Sequence, residues 1–309
     1  MSSDSPILAS LRTDVGRVRG HNEDFIASWL PESEKEAARN GRLYILADGA
    51  GGMHAGEVAS SLAVERTLAG YQADADQTDK GARLFGAMIG ANDALRELML
   101  EEENEGRMAT TMVAAVLDGD HAIIANIGDS RAYHWRDGTL RQVTRDHSLV
   151  ARLVEEEIIT PEEALTHPRR NVIYASLGSD STPQIELFEL ALKPGDQLLL
   201  CSDGLTGHVR DEALARVLGE QPPEAATQTL IDMANADGGT DNISVIVLQM
   251  VGEPQPAGSV SANGAGIRAF AGAPVAAGER RFLWWYTAFL CLLQTVLMIA
   301  AWQWLVGSL

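Results

Sequence analysis

The chain has 309 residues, 46% of them hydrophobic and 22% charged, a balance that supports one large core or two small ones. Its formal net charge of −19 argues against nucleic acid as a partner, because a phosphate backbone calls for clustered Lys and Arg. The two cysteines, Cys201 and Cys291, stand in separate apolar runs, so no disulfide framework is expected and a reducing compartment fits.

Met1 to Ser10 has neither the basic start nor the apolar stretch of a signal peptide. Arg42 to Ala47 is a short apolar run ending in Asp48-Gly49, and it reads as a strand. Helical patterns follow at Glu57–Leu68 and Gly81–Glu102. Thr111 to Leu117 and His121 to Ile127 read as strands, with Asp118-Gly119 a tight turn between them; Asp137-Gly138 reads as a second turn. Asp196 to Cys201 is a further strand, Asp211–Leu218 and Pro223–Ala236 are helices, and Asn242 to Val251 is a last strand. Strands in successive hairpins favour antiparallel sheets in an α+β domain over residues 1–250.

Residues 251–279 are rich in Gly, Ala and Pro and carry little charge, as expected of a flexible linker. Residues 280–309 read as a C-terminal transmembrane anchor. Phe282 to Val306 holds no charged residue, and as a helix it would be about 37 Å long, enough to span a ~30 Å hydrocarbon core. Trp284, Trp285 and Tyr286 lie near one end and Trp302 and Trp304 near the other, as interfacial aromatics do. Arg280 and Arg281 precede the span, so the positive-inside rule keeps the large domain cytoplasmic on a single-pass membrane protein.

Several acids stand where an apolar run gives way to glycine. Asp48 precedes Gly49, Asp203 precedes Gly204, Asp129 follows Gly128, and Asp241 closes Gly238-Gly239-Thr240. Glu23 and Asp24 end the segment Arg19-Gly20-His21-Asn22. One such Asp is an ordinary turn former. Several on one rim would repel unless a hard divalent cation, Mg²⁺ or Mn²⁺, joined them. No Cys/His cluster of zinc spacing is present.

In this order the segments resemble the bacterial branch of the protein phosphatase 2C-like, metal-dependent phosphatases. The matching stretches are Thr13–Asp24 (TDVGRVRGHNED), Ala47–Gly52 (ADGAGG) with Gly56–Ser60 (GEVAS), Ala109–Ala115 (ATTMVAA), Ile127–Tyr133 (IGDSRAY), Val143–Val150 (VTRDHSLV), His167–Ile173 (HPRRNVI), Leu199–Thr206 (LLCSDGLT) and Gly238–Val247 (GGTDNISVIV). The resemblance implies a four-layer α-β-β-α sandwich of two antiparallel sheets flanked by helices. It implies a site with two Mn²⁺ or Mg²⁺ ions and a weaker third. Asp48 would bridge two ions, and the Gly49 carbonyl would bind one of them. Asp203 and Asp241 would bind the other. Glu23 and Asp24 would act through metal-bound water. Arg19 would clamp the substrate phosphate, and Asp129 would help Asp203 hold the third ion.

The implied reaction is hydrolysis of phosphoserine or phosphothreonine in proteins by water activated between two metals. An opposing eukaryotic-like Ser/Thr kinase is implied by the same resemblance. Three positions depart from the family pattern. Ala50 replaces a residue that is His in animal relatives and is assigned there as general acid; His54 is a nearby candidate for that role. Gly207 replaces an acid that supports the third metal in many relatives. Ala109 replaces a common Gly. Arg131 is expected to make a structural ion pair, and His21, His147 and His167 to be structural. The alternative is a catalytically weak scaffold that binds phosphoproteins or a kinase at the membrane, and a third reading has a non-protein phosphate ester as substrate.

Overall fold

The computed structural model describes residues 7–51, 54–101, 108–251 and 268–270. In chain order the elements are β1 (Ile7–Asp14), β2 (Asp24–Trp29), α1 (Glu34–Asn40), β3 (Arg42–Ala50), α2 (Ala55–Ala73), α3 (Lys80–Glu101), β4 (Ala109–Thr110), β5 (Met112–Asp118), β6 (His121–Ile127), β7 (Arg131–Arg136) and β8 (Thr139–Gln142). They continue with α4 (Leu149–Glu155), α5 (Pro161–Thr166), β9 (Glu186–Ala191), β10 (Gln197–Cys201), α6 (Asp203–Thr206), α7 (Asp211–Glu220), α8 (Pro223–Ala236), β11 (Ile243–Met250) and β12 (Arg268–Phe270). One sheet runs β1-β11-β10-β7-β8, the other β12-β9-β6-β5-β3-β2 with β4 beside β3. Their pairings are antiparallel.

Both faces of the central strands are covered, which explains why the sequence shows continuous apolar runs and not alternation. In β3, Tyr44 and Leu46 point into the space between the sheets, where they meet Leu198 and Leu200 of β10 and Ile246 and Leu248 of β11. Leu43, Ile45 and Ala47 point the other way, against Ala59, Ala63 and Tyr71 of α2 and Leu84 and Met88 of α3. On the far side, Leu199 and Cys201 of β10 and Val245 and Val247 of β11 lie under Leu214 and Leu218 of α7 and Leu230 and Ala234 of α8. Three apolar layers between four structural layers give the expected α-β-β-α sandwich. Each fully buried Leu or Ile contributes about 1.5–3 kcal/mol.

Helix α8 has the bounds expected for it, and α2 extends the expected Glu57–Leu68 at both ends. The turn after β7 is Asp137-Gly138 with φ of 50° and 83°, the mirror-image geometry that suits hairpin twist. The turn after β5 falls one residue later than expected. Asp118 stays in the strand opposite His121, where its carboxylate accepts from Lys80 Nζ at 2.8 Å, and Gly119-Asp120 make the turn.

The segment read as a membrane-spanning helix, 280–309, and most of the linker read at 251–279 lie outside the described residues. Arg268–Phe270, within that linker, pair with β9 as its edge strand. Among the described residues, no helix is long and apolar enough to cross a membrane.

Candidate metal centre

Antiparallel order brings the end of β3, the start of β2, the end of β10, the start of β11 and the β6–β7 turn to one rim. Asp24 opens β2 and is the Cα partner of Asp48, near the end of β3. Asp203 opens α6 two residues after β10 ends. Asp241 lies two residues before β11, and Asp129 sits in the β6–β7 turn. The sequence-nominated acids are therefore neighbours in space, although Asp24 and Asp241 stand more than two hundred residues apart in the chain.

The cluster's acids raise one another's pKa more than the nearby cations lower them. Burial raises the Asp48 carboxyl well above the ordinary range, and Asp24, Asp203, Asp129 and Asp241 push it further. Asp203 is raised by burial and by Asp241, although a hydrogen bond shared with Asp48 pulls it back. Burial lifts Asp24 to about 7 and Asp129 to about 8, with the neighbouring Asp203 adding to both. Glu23 is raised mainly by burial, against the pull of Arg19.

Among the described residues, Arg19 pairs directly with this group, and Arg131 acts on Asp129 and Asp203. Arg19, in the β1–β2 loop, donates from Nη2 to Asp241 Oδ2 at 2.7 Å, and its Nη1 lies 3.6 Å from Glu23 Oε2. Burial works against the guanidinium charge, but Asp241 and then Glu23 outweigh it and hold the Arg19 pKa above its ordinary value. The side chain remains 46% exposed, so its outer face is free to meet a solvent-borne anion.

A second set of residues fixes the backbone. Asn242 is 3% exposed; its Oδ1 accepts from Glu23 N–H at 2.8 Å, and its Nδ2 donates to the carbonyls of Val15 and His21, each at 2.9 Å. Thr111 N–H and Thr110 Oγ1 donate to the Asp48 carbonyl at 2.9 and 2.8 Å. Ser202 Oγ donates to Asp24 Oδ2 at 2.9 Å and accepts from Ser244 N–H at 3.0 Å. Ser60 Oγ donates to the Glu23 carbonyl at 2.6 Å. Gly49 is required by space: a Cβ there would lie 2.0 Å from the Gly56 carbonyl oxygen.

Arg131 makes the structural ion pair expected of it, with Nε 3.0 Å from both carboxylate oxygens of Asp146 and Nη2 2.7 Å from one of them. His54 is an exposed neighbour of Glu57, with its ring edge-on to His21 at 5.0 Å between centroids. Cys201 is fully buried, and desolvation raises its thiol to about 12, so it is no nucleophile. Ala50 and Gly207 are exposed at the rim. Sequence reasoning left Ser60, Ser202, Asn242 and Ser244 without roles, although all four fall inside motifs it had quoted. For Ser202 and Asn242 the signal is adjacency to Asp203 and Asp241; Ser60 and Ser244 carry no such local signal.

Whether this set fits divalent ions is decided by its own chemistry. The donors are hard oxygens, and Asp24 Oδ1 is buried without a partner. The acids repel one another, and a cation would remove that repulsion. Among the described residues, no group of three or more His, Cys, Asp or Glu side chains is arranged to hold a metal ion by itself. Small hard ions keep several waters, so one or two carboxylates and a carbonyl per ion suffice. The residues fit.

Residues 21–240 match the family described as protein phosphatase 2C. The chain is 40% identical over 262 residues to the serine/threonine protein phosphatase PstP of Mycobacterium tuberculosis, an alignment covering 82% of this chain and 48% of PstP. It thus spans about half the length of that relative. It is 35% identical over 252 residues to the serine/threonine phosphatase stp of Listeria monocytogenes, covering 78% of this chain and 95% of stp. The solved catalytic domain of PstP, in complex with two manganese ions, aligns with a TM-score of 0.68 at 36% identity over 80% of this chain and 99% of that one. The family match, the identities and the shared fold together establish that the chain belongs to the protein phosphatase 2C family.

Proposed function

We propose that this protein hydrolyses phosphoserine and phosphothreonine in proteins, using Mn²⁺ or Mg²⁺ at the acid-lined rim. The observation that carries the reading is the cluster of buried acids Asp24, Asp48, Asp129 and Asp203 beside Asp241, which Arg19 faces. Asp48 with the Gly49 carbonyl, and Asp203 with Asp241, are the groups that would hold two ions. Asp129 and Asp203 would hold a weaker third, and Glu23 and Asp24 would accept hydrogen bonds from the water around them. When bound, such ions make water acidic enough to ionise near neutral pH and offset charge on phosphate oxygens.

The protein's own groups do the rest. Arg19 is held by Asp241 and Glu23 with its free face toward solvent, and it would take two phosphate oxygens in its planar fork. Buried Cys201 offers no competing thiol chemistry. Ala50 offers no side-chain acid after Asp48-Gly49, so the leaving oxygen would take its proton from water or from another side chain such as the exposed His54. The exposed, acid-lined rim suits a seryl or threonyl phosphate on a protein surface better than a buried small molecule.

The reading includes a membrane anchor at residues 280–309, supported by the charge-free stretch Phe282 to Val306 with aromatics near both ends. The catalytic domain would then work at the inner face, opposing membrane-bound Ser/Thr kinases at raised effective concentration. The test is phosphate release from a phosphothreonine peptide with Mn²⁺, with Mg²⁺ and with EDTA. Release that requires metal supports the reading; a folded protein inert with every metal returns the weight to a phosphoprotein-binding scaffold.

A further inference from the structure

Outside the acid cluster, one imidazole has both ring nitrogens engaged by the loop that delivers Asp241. His208 lies just beyond α6 with its side chain 10% exposed. Its Nδ1 is 3.0 Å from Asp237 Oδ2, and its Nε2 is 2.9 Å from Thr240 Oγ1. Thr240 N–H donates to the same Nε2 at 3.1 Å. A backbone N–H aimed at Nε2 requires a lone pair there, so the ring proton sits on Nδ1 and is donated to Asp237.

The ring therefore ties residue 237 to residue 240 across Gly238 and Gly239, whose φ values are 124° and 51°. Two glycines in succession leave a loop with much conformational freedom. Gly239 is held by its N–H to the Ala234 carbonyl at 3.0 Å and by Arg17 N–H to its own carbonyl at 2.8 Å, and the His208 ring adds a side-chain strut across the pair. Thr240 precedes Asp241, whose Oδ1 accepts from Asn242 N–H at 2.8 Å and whose Oδ2 accepts from Arg19. On its other side His208 is joined to Asp203 through one helical turn: Gly207 N–H donates to the Asp203 carbonyl at 2.7 Å, and His208 N–H to the Leu205 carbonyl at 3.1 Å.

We infer that His208 is a positioning residue that sets the separation of the Asp203 and Asp241 carboxylates, and through Asp241 the seat of Arg19. The inference rests on the proposed metal centre. The side chain touches neither substrate nor ion; it acts through the Thr240 N–H bond to Nε2. A glutamine can place its amide oxygen near the Nε2 position and accept that bond, whereas asparagine is too short to do so.

The experiment is Mn²⁺ binding to the full-length protein in detergent, read from the paramagnetic resonance signal of the free ion. Wild type is compared with His208→Ala, His208→Asn and His208→Gln, with metal-free thermal unfolding recorded for each. Substitutions of residues that orient metal ligands commonly weaken binding by about 10- to 100-fold. A loss of that order is expected for the Ala and Asn variants, with Gln staying within a few-fold of wild type. A folded His208→Ala protein with wild-type affinity overturns the inference. So does a Gln variant as weak as Asn, a comparison that decides the matter even if the Ala variant does not fold. A wild-type protein that binds no Mn²⁺ removes the metal centre itself, and the inference with it; the wild-type curve shows that failure separately.

Discussion

Asp24 and Asp48 face each other as Cα partners across the first register of the β2–β3 pair. Like charges directly opposite in a sheet are destabilising. The pairing sits at the rim of the sheet, where its cost is offset either by a proton, as the raised Asp24 and Asp48 pKa values show, or by a bound cation. Asp48→Asn is expected to raise the stability of the metal-free protein by about 1 kcal/mol, seen as an upward shift of a few degrees in Tm. The same variant is expected to lose the stabilisation that Mn²⁺ gives wild type. A metal-free Asp48→Asn protein less stable than wild type would show that the repulsion is already relieved.

Metal affinity should depend on pH in a definite direction. Asp24 titrates near 7 and Asp129 near 8 in the metal-free protein, both raised chiefly by burial. A folded pKa above the unfolded one contributes stability at low pH and loses it as pH rises through the folded value. The metal-free domain is therefore expected to lose stability between pH 4 and pH 8. Because ions bind the deprotonated acids, Mn²⁺ affinity should rise across pH 6 to 8, with protons released on binding. Calorimetry in two buffers of different ionisation enthalpy measures that release; identical heats in both would contradict it.

Arg19 is predicted to act on phosphate and not on folding. Arg19→Ala should lower kcat/KM for a phosphothreonine peptide by about 10²–10³-fold, the usual cost of removing a charge-stabilising donor. Arg19→Lys should recover little, because a point charge cannot reproduce the fork between Asp241 and the phosphate. Thermal unfolding of both variants should stay close to wild type, since the side chain is nearly half exposed.

Asn242→Ala leaves the Glu23 N–H and the carbonyls of Val15 and His21 without their partner. Unsatisfied buried groups cost about 1–3 kcal/mol each where water cannot replace the bond. A loss of about 2 kcal/mol in denaturant unfolding is expected, with weaker metal binding because the Glu23–Asp24 segment is freed. An unchanged midpoint would mean that solvent already serves these groups.

Much of this was legible in the sequence, for physical reasons that differ by residue. Asp48 and Asp203 stood out because each ends an apolar run and meets a glycine that close packing requires, as the Gly49–Gly56 and Gly204–Asn242 contacts show. Strands β3, β5, β6, β10 and β11 were readable because both faces are buried. The short helices α4 and α5 were not, because 7 and 6 residues are too few to display a helical period and neither fully buries a side chain. Strand β1 escaped notice as an edge strand with exposed and charged positions. The supports of the site were hidden for another reason. Asn242 reaches Glu23, and Ser202 reaches Asp24, across about two hundred residues of chain. No local pattern encodes such a contact.

The most direct test of the central claim is Mn²⁺-dependent phosphate release by wild type and Asp203→Asn, side by side on one phosphothreonine peptide. Asp203 is surrounded by acids and held by the turn of α6, so removing its charge leaves the fold intact. The account predicts turnover in wild type that EDTA abolishes, and a variant that is folded but at least a hundred-fold slower. Equal turnover in the two proteins, or turnover in wild type that persists in EDTA, would contradict it.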